Sequence, residues 1–194
     1  EREIINERGD KKTLVEFNDA KIMKLIIENG NTVGKIELSA KIIKYSEADY
    51  GNDLALLLLR KKNFTTNTTK FYLNKKELEL GTPIIHCGSL LGEFGSASIT
   101  KGVLSQRARM INGFTYDQTD AACYPGSSGG GLFLENGECI GFVLRGADTS
   151  FTLFVPIRRI VDFAKRSNIM WALDPNEKMP TLDQIDEISV EDIR

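Results

Sequence analysis

The sequence has few of the residues that carry metal and relay chemistry. Of its 194 residues one is a histidine, His86, and three are cysteines, Cys87, Cys123 and Cys139. The cysteines have neither the spacing of a disulfide framework nor that of a zinc site. Their odd number favours a reducing compartment. A single histidine excludes most metal and histidine-relay chemistry within these residues, so we expect no metal site in them.

Long apolar runs and an excess of one charge are also missing. No apolar run approaches the roughly 18–20 residues of a membrane-spanning helix, so no membrane span is expected. The net charge is −2, which indicates no basic surface for a nucleic-acid partner. With 41% hydrophobic and 27% charged residues, the composition is typical of a globular protein.

Short apolar segments separated by turn residues predict an all-β protein. Residues 21–27 and 35–45 are rich in apolar and β-branched residues and flank a turn signal at 28–31. A third segment, Leu54–Leu59, follows Asn52-Asp53. Six more follow at residues 83–87, 96–106, 113–117, 131–134, 139–144 and 151–155. Such spacing is typical of a β-sandwich or a β-barrel.

A helix and an acidic tail are predicted after the strands. Pro156 suits the first turn of a helix. An apolar stripe follows it at Ile157, Ile160, Val161 and Ala164. Residues 172–194 hold seven acidic and two basic residues, a net charge of −5. Thr181 and Gln184 have the spacing of a capping box, which leaves open whether this tail docks as a short helix or is solvated.

The segment Tyr124–Leu132 carries the strongest functional signal, a serine between glycines after a proline. Glycines adopt backbone conformations closed to other residues. That freedom suits a nucleophile whose own N–H and that of Gly126 point at a developing oxyanion. Cys123 lies outside the glycine turn and is interpreted as a core or pocket-wall residue.

Two separated segments resemble one family. Asn52–Leu57 (NDLALL) is similar to the segment that carries the triad aspartate in trypsin-like serine proteases of the chymotrypsin fold. Thr119–Ala122 (TDAA) and the following Pro125–Gly130 (PGSSGG) are similar to the nucleophile segment of their HtrA-type branch. The resemblance covers about residues 20–168. It implies two six-stranded antiparallel β-barrels, in residues 1–79 and 80–156, with a helix and tail in 157–194; the first barrel is incomplete.

The same resemblance implies a serine endopeptidase that cleaves polypeptides through an acyl-enzyme and needs no cofactor. Ser128 would be the nucleophile, and Asp53 would orient the histidine that takes its proton. The N–H groups of Gly126 and Ser128 would form the oxyanion hole. Ser127 stands where the family carries Asn or Asp, so it is the less favoured serine.

The resemblance also implies a substrate pocket. Ala122 would form its floor, and Leu144, Arg145 and Gly146 would form a wall. A floor without an acidic side chain favours a small or medium apolar side chain over Lys or Arg. Arg145 leaves an acidic side chain open as the alternative.

The histidine that this site requires is missing from its expected place, before Asp53. His86 is interpreted as a strand residue bonded to a neighbour, on a strand that leads away from the site. Gly126–Gly130 also fits the G-x-S-x-G elbow of α/β-hydrolases, but no histidine follows the serine as that fold requires. We expect an upstream segment to supply the histidine and complete the first barrel. The alternative is an inactive trypsin-like fold that serves as a protein-binding module.

Overall fold

The computed structural model describes residues 2–5, 9, 11–14, 20–48, 51–61, 64–65, 67–148 and 150–190, and strands dominate it. The strands are β1 (Arg2–Ile5), β2 (Lys11–Leu14), β3 (Ala20–Glu28), β4 (Asn31–Ser46), β5 (Leu54–Leu58), β6 (Lys70–Phe71), β7 (Pro83–Leu90), β8 (Gly95–Ile111), β9 (Phe114–Thr119), β10 (Gly131–Phe133), β11 (Glu138–Asp148) and β12 (Phe151–Pro156). The α-helices are α1 (Ile157–Arg166) and α2 (Leu182–Asp186), and short 3-10 turns lie at Gly92–Phe94 and Met170–Ala172.

Six strands close into a barrel. Their order is β7-β8-β9-β12-β11-β10, and β10 pairs again with β7, every contact being antiparallel. Closure leaves these strands without open edges. Its interior is filled by buried residues that include Ile84, Leu104, Cys123, Leu132, Ile140, Val143 and Phe154. This barrel confirms the expected fold class. The short strand β6 adds to it in parallel, along β11.

A smaller antiparallel sheet, in the order β3-β4-β5, precedes the barrel. The hairpin between β3 and β4 turns at Asn29-Gly30, and both residues have positive φ, 51° and 80°, as a tight two-residue turn requires. Strands β1 and β2 pair only with each other within the described residues. The sheet exposes apolar side chains that an added layer of chain could cover: Met23, Ile27, Val33 and Ile36.

Helix α1 joins the small sheet to the barrel. Leu54 and Leu56 of β5 pack against Phe163 and Ala164 of the helix. Leu54 also belongs to a cluster on the barrel side with Leu144 and Leu153. The buried residues of α1 are Arg159, Ile160, Phe163 and Ala164. The predicted stripe is therefore only partly right, because Ile157 and Val161 are half-buried and an arginine lies on the buried face.

The acidic tail docks on the small sheet. Thr181 caps α2 in the expected capping box, accepting a hydrogen bond from the backbone N–H of Gln184. Ile185 is fully buried. The carboxylate of Asp186 bonds Lys41 of β4 and Arg60, and these hydrogen bonds lower its pKa below the usual range. At the end of the tail, the carbonyl of Val190 accepts from the N–H of Tyr45. None of the helices in the described ranges is long and apolar enough to cross a membrane.

Candidate active site

The glycine turn is held in place from two sides. On one side the carbonyl of Pro125 accepts a hydrogen bond from the N–H of Leu91 at 2.8 Å. On the other side Gly129 donates to the carbonyl of Val143 at 2.8 Å. Gly126 has φ +96°, and a Cβ there would stand 2.6 Å from the nitrogen of Gly92. A side chain is thus excluded at Gly126 both by conformation and by space.

The two serines of the turn have different environments. Ser127 is 1% exposed, and its Oγ accepts a hydrogen bond from the N–H of Tyr124 at 3.2 Å. Ser128 is exposed to solvent, and its hydroxyl donates to the carbonyl of Leu144 at 2.9 Å. Of the pair, Ser128 is the one that a substrate can approach.

Two backbone N–H groups of the turn are left for a ligand. Ser127, Gly129 and Gly130 donate their N–H groups to carbonyls of the protein. By contrast, the N–H groups of Gly126 and Ser128 make no hydrogen bond within the part of the chain that the structure describes. The N–H of an exposed serine together with that of the residue two before it suits the stabilisation of an oxyanion that forms beside the serine hydroxyl.

Hydrogen bonds hold the backbone of Asp53 and of the residue before it. Asp53 has φ +55°, a left-handed conformation that aspartate tolerates better than most side chains. Its N–H donates to the carbonyl of Glu47 at 3.0 Å, and the N–H of Asn52 donates to the hydroxyl of Ser46 at 2.7 Å. Strand β5 begins at the next residue, Leu54. Leu54, which follows Asp53, and Leu144, whose carbonyl accepts from Ser128, pack against the same apolar cluster.

The residues predicted for the substrate pocket lie on adjoining segments. Arg145 and Gly146 of β11 pair with Leu153 and Thr152 of β12. The hydroxyl of Thr152 donates to the carbonyl of Ala121 at 3.2 Å. The carbonyl of the next residue, Ala122, accepts from the hydroxyl of Thr100 at 2.8 Å. Ala122 and Leu144 are half-buried, whereas Arg145 and Gly146 are exposed.

His86 lies closer to the turn than its sequence position indicates. It is fully buried on β7, with Nδ1 3.4 Å from the hydroxyl of Thr100. Its Nε2 has no hydrogen-bond partner among the residues that the structure describes. A Cβ on Gly88 or Gly130 would stand 2.6 or 2.8 Å from that atom. The ring therefore lies against Gly130, and the expectation that its strand leads away from the site is wrong.

The environment of His86 does not suit a proton acceptor for Ser128. Burial lowers the pKa of the imidazole, because a buried ring takes up a proton and its charge less readily. Its Nε2 is enclosed against the glycine backbones, while the hydroxyl of Ser128 is directed to the carbonyl of Leu144. The contacts are those of a packing residue beneath the turn.

The cysteines show no sign of nucleophilic or metal chemistry. Cys123 and Cys139 are buried free thiols, and Cys87 is an exposed one. Burial raises the pKa of Cys123 and raises that of Cys139 to about 11, so both thiols stay protonated. Within the described ranges, no group of three His, Cys, Asp or Glu side chains could hold a metal ion.

Several residues that shape the site were missed in the sequence. Leu91 and Gly92 support the turn through backbone contacts, which leave no side-chain pattern. Thr100 lies between His86 and Ala122. Arg159 reaches the loop before Asp53, yet a charged residue in an amphipathic helix is ordinarily exposed. Only the contacts in the folded chain identify these residues.

A closed antiparallel barrel, a second antiparallel sheet and an exposed serine in a glycine turn together define a protein of the trypsin-like class. A family model described as a trypsin-like peptidase domain matches residues 18–142. The chain belongs to this family.

Curated relatives place the chain near the HtrA-type branch. The chain is 37% identical over 124 residues to a serine protease Do-like HtrA from Lactobacillus helveticus, an alignment that covers 61% of this chain and 28% of the relative. It is 33% identical over 138 residues to a probable periplasmic serine endoprotease DegP-like from Pseudomonas putida (strain W619), covering 67% and 27%. The chain thus spans just over a quarter of the length of these relatives.

Solved structures show the same fold. An HtrA-type protease AlgW with a tripeptide superposes with a TM-score of 0.56 at 22% identity, covering 73% of this chain and 47% of that one. The crystal structure of Deg5 gives a TM-score of 0.54 at 25% identity, covering 73% and 66%. These neighbours support the assignment of both sheets to a trypsin-like architecture.

Proposed function

We propose that this chain is part of a serine endopeptidase that hydrolyses polypeptides through an acyl-enzyme on Ser128. The observation that carries the proposal is the glycine turn, in which the N–H groups of the exposed Ser128 and of Gly126 have no hydrogen-bond partner among the described residues. Asp53 would orient the histidine, and sequence outside residues 1–194 would supply that histidine. The relatives' names, which include serine protease and endoprotease, support the same class of reaction.

The reaction needs no cofactor. The Oγ of Ser128 attacks the carbonyl carbon of the scissile peptide, and its proton passes to the histidine. The N–H groups of Gly126 and Ser128 bind the resulting oxyanion; in acyl-transfer enzymes one such donor contributes about 3–4 kcal/mol. The histidine then gives its proton to the leaving amine as the C–N bond breaks. Water, deprotonated by the histidine, hydrolyses the ester and restores the hydroxyl of Ser128.

Ala122 and the segment Leu144–Gly146 would select the side chain before the cleaved bond. Since Ala122 offers no negative charge, a buried Lys or Arg side chain would stay unpaired there, which is costly. A small or medium apolar residue is therefore the proposed preference. An acidic residue is the alternative that the exposed Arg145 would favour.

The exposed apolar side chains of the small sheet support a role for an upstream segment. Open sheet edges and exposed apolar faces are liabilities that proteins cover. An upstream segment that adds strands to β3-β4-β5 would cover this face and bring the histidine toward Asp53. One polypeptide segment would then complete both the first barrel and the active site.

A second candidate function is a protein-binding module on an inactive protease fold. Two observations favour it: the hydroxyl of Ser128 is bonded to the carbonyl of Leu144, and the one histidine in the sequence is enclosed in the barrel. Such a module would still bind polypeptides beside Ala122 and Leu144–Gly146.

Hydrolysis of an unfolded protein such as casein by the full-length protein separates the two functions. The endopeptidase proposal predicts turnover that is lost in Ser128→Ala and retained in the matched control Ser105→Ala. Ser105 lies on β8, and among the described residues its hydroxyl bonds only to the carbonyl of Val103. If the full-length protein binds casein without cleaving it, and Ser128→Ala binds casein equally well, the protein is a binding module and the endopeptidase proposal is wrong.

A further inference from the structure

Arg159 is a buried cation on helix α1. The residue is 7% exposed. Its guanidinium carbon lies 4.8 Å from the ring centroid of Phe114 and 4.6 Å from that of Tyr116, both on β9. Aromatic faces attract a cation, and more strongly when water is excluded. The helix residue is thereby fixed against the wall of the closed barrel.

The donors of this guanidinium connect two parts of the fold. One terminal nitrogen donates to the carbonyl of Thr115 on β9, and the other donates to the carbonyl of Gly51, both at 3.3 Å. Gly51 lies in the loop that leads to Asp53. Arg159 therefore links the barrel that carries Ser128 to the loop that carries Asp53.

This link is made with a charge that has no counter-ion among the described residues, since no carboxylate lies within ion-pair distance of Arg159 there. Burying a charge without one is costly. A neutral apolar side chain could pack between the same rings but could not bond both carbonyls. The contacts thus suit a residue that fixes the geometry of the Asp53 loop rather than one that only fills space.

Residues 51–53 of this loop have little freedom to adjust. Gly51 is buried, and a Cβ there would stand 2.3 Å from the carbonyl oxygen of Glu47. The next two N–H groups bond to Ser46 and Glu47. Because Asp53 follows Gly51 by two residues whose N–H groups are both bonded, a contact at Gly51 constrains the position of Asp53.

We propose that Arg159 is a positioning residue that holds the Asp53 loop in register with the Ser128 turn, through the carbonyl of Gly51. This inference rests on the proposed endopeptidase function. Its role is indirect, because the carboxylate of Asp53 and not Arg159 would contact the histidine. Displacements of about 1 Å at a catalytic group can cost about 100-fold in rate.

The test compares variants of the full-length protein in peptide hydrolysis. Arg159→Met retains the packing between the rings but loses both carbonyl bonds. We expect kcat to fall by about 10- to 100-fold with KM nearly unchanged. The acid limb of the pH profile of kcat/KM should move to lower pH, because a displaced Asp53 raises the pKa of the histidine less. Arg159→Lys restores the charge and one donor group, and should recover part of kcat.

Arg158→Met is the matched control. Arg158 is the preceding residue of the same helix, and it holds the carboxylate of Asp117 with two hydrogen bonds of 2.7 and 2.8 Å. It makes no hydrogen bond to the Asp53 loop in the described residues. Its loss should lower the melting temperature and leave kcat and the pH profile as in the parent.

Each outcome decides the matter. If Arg159→Met keeps the parental kcat and pH profile and only melts earlier, Arg159 is purely structural and the inference is wrong. If Arg159→Met does not fold, Arg159→Lys carries the test, and a parental kcat and profile in that variant overturns the inference. A parent without turnover that depends on Ser128 overturns the proposed function, and the inference with it; an active parent with unaffected Arg159 variants overturns the inference alone.

Discussion

At the scale of single residues, the two adjacent serines have different contacts and different proposed roles. Ser127 supports the turn from inside, because its oxygen accepts the N–H of Tyr124. Ser128 faces solvent and leaves its backbone N–H unpaired within the described residues. The preference for Ser128 came from the resemblance to a family motif. Composition and spacing do not distinguish two neighbouring hydroxyls.

The different environments of the two serines predict unequal effects of their substitution on stability. Ser127→Ala leaves the N–H of Tyr124 without its acceptor and should lower the free energy of unfolding by about 1–3 kcal/mol. Ser128→Ala changes an exposed side chain and should stay within about 0.5 kcal/mol of the parent. Urea denaturation of both variants measures the difference. Equal losses in the two would contradict the assignment of roles.

The buried histidine predicts a dependence of stability on pH. Burial lowers the pKa of His86 in the folded state, while an unfolded histidine titrates near its ordinary value of about 6.5. As the pH falls below that value, the unfolded chain binds a proton that the folded chain does not, so stability is lost. His86→Phe removes the titrating group and keeps a ring.

The measurement is the free energy of unfolding between pH 7.5 and pH 5, by urea denaturation. We expect the parent to lose stability on acidification over this window more steeply than His86→Phe does. Identical slopes for the two proteins would show that His86 is protonated as readily in the folded state as in the unfolded one.

At the scale of elements, strands were predicted better than their surroundings. The alternation of apolar segments and turn residues predicted β3, β4, β5 and the barrel strands, although β4, β8 and β11 extend about four or five residues beyond the predicted bounds. The buried face of α1 was only partly predicted, since periodicity cannot show that Arg159 has two aromatic rings and two carbonyls to receive it. The sequence alone does not predict that the acidic tail docks, because docking depends on Lys41 and Arg60, which are far from the tail in the sequence.

The docking of the tail predicts a large loss of stability when the buried side chain of Ile185 is shortened. Ile185 of α2 is 1% exposed, and Ile185→Ala should lower the free energy of unfolding by about 2–4 kcal/mol. Asp186→Asn breaks ion pairs that are partly exposed, so its effect should be smaller and should shrink in high salt. Thermal or urea denaturation in low and high salt tests both variants. A negligible effect of Ile185→Ala would mean that the tail is detached in solution.

At the scale of the whole molecule, the closed barrel and the open sheet contrast. The barrel could be predicted because its strands and turns are complete in the sequence. The small sheet exposes apolar side chains, and the segment proposed to cover them lies outside residues 1–194. In the same way, residues 1–194 contain the proposed nucleophile, the proposed N–H donors and the proposed aspartate in family order, whereas the proposed base is a prediction about other sequence.

This contrast predicts a large difference between the isolated segment and the full-length protein. Under the proposed mechanism, residues 1–194 retain Ser128 and the two N–H groups that are unpaired among the described residues, but not the histidine that acts as the base. Loss of one member of a catalytic triad costs about 10⁴- to 10⁶-fold in kcat, so peptide hydrolysis by the isolated segment should be slower by about that factor. Circular dichroism confirms that the segment is folded during the assay. Comparable rates for both proteins would place the base inside residues 1–194.

The central claim is that Ser128 is the nucleophile, and one measurement tests it most directly. The full-length protein is treated with a fluorophosphonate, digested, and the modified residue is located by tandem mass spectrometry. The proposed mechanism predicts one phosphonylated residue, Ser128, within the peptide that contains Pro125–Gly130. An adduct on Ser127 or on another residue, or a folded protein that is not modified at all, would contradict it.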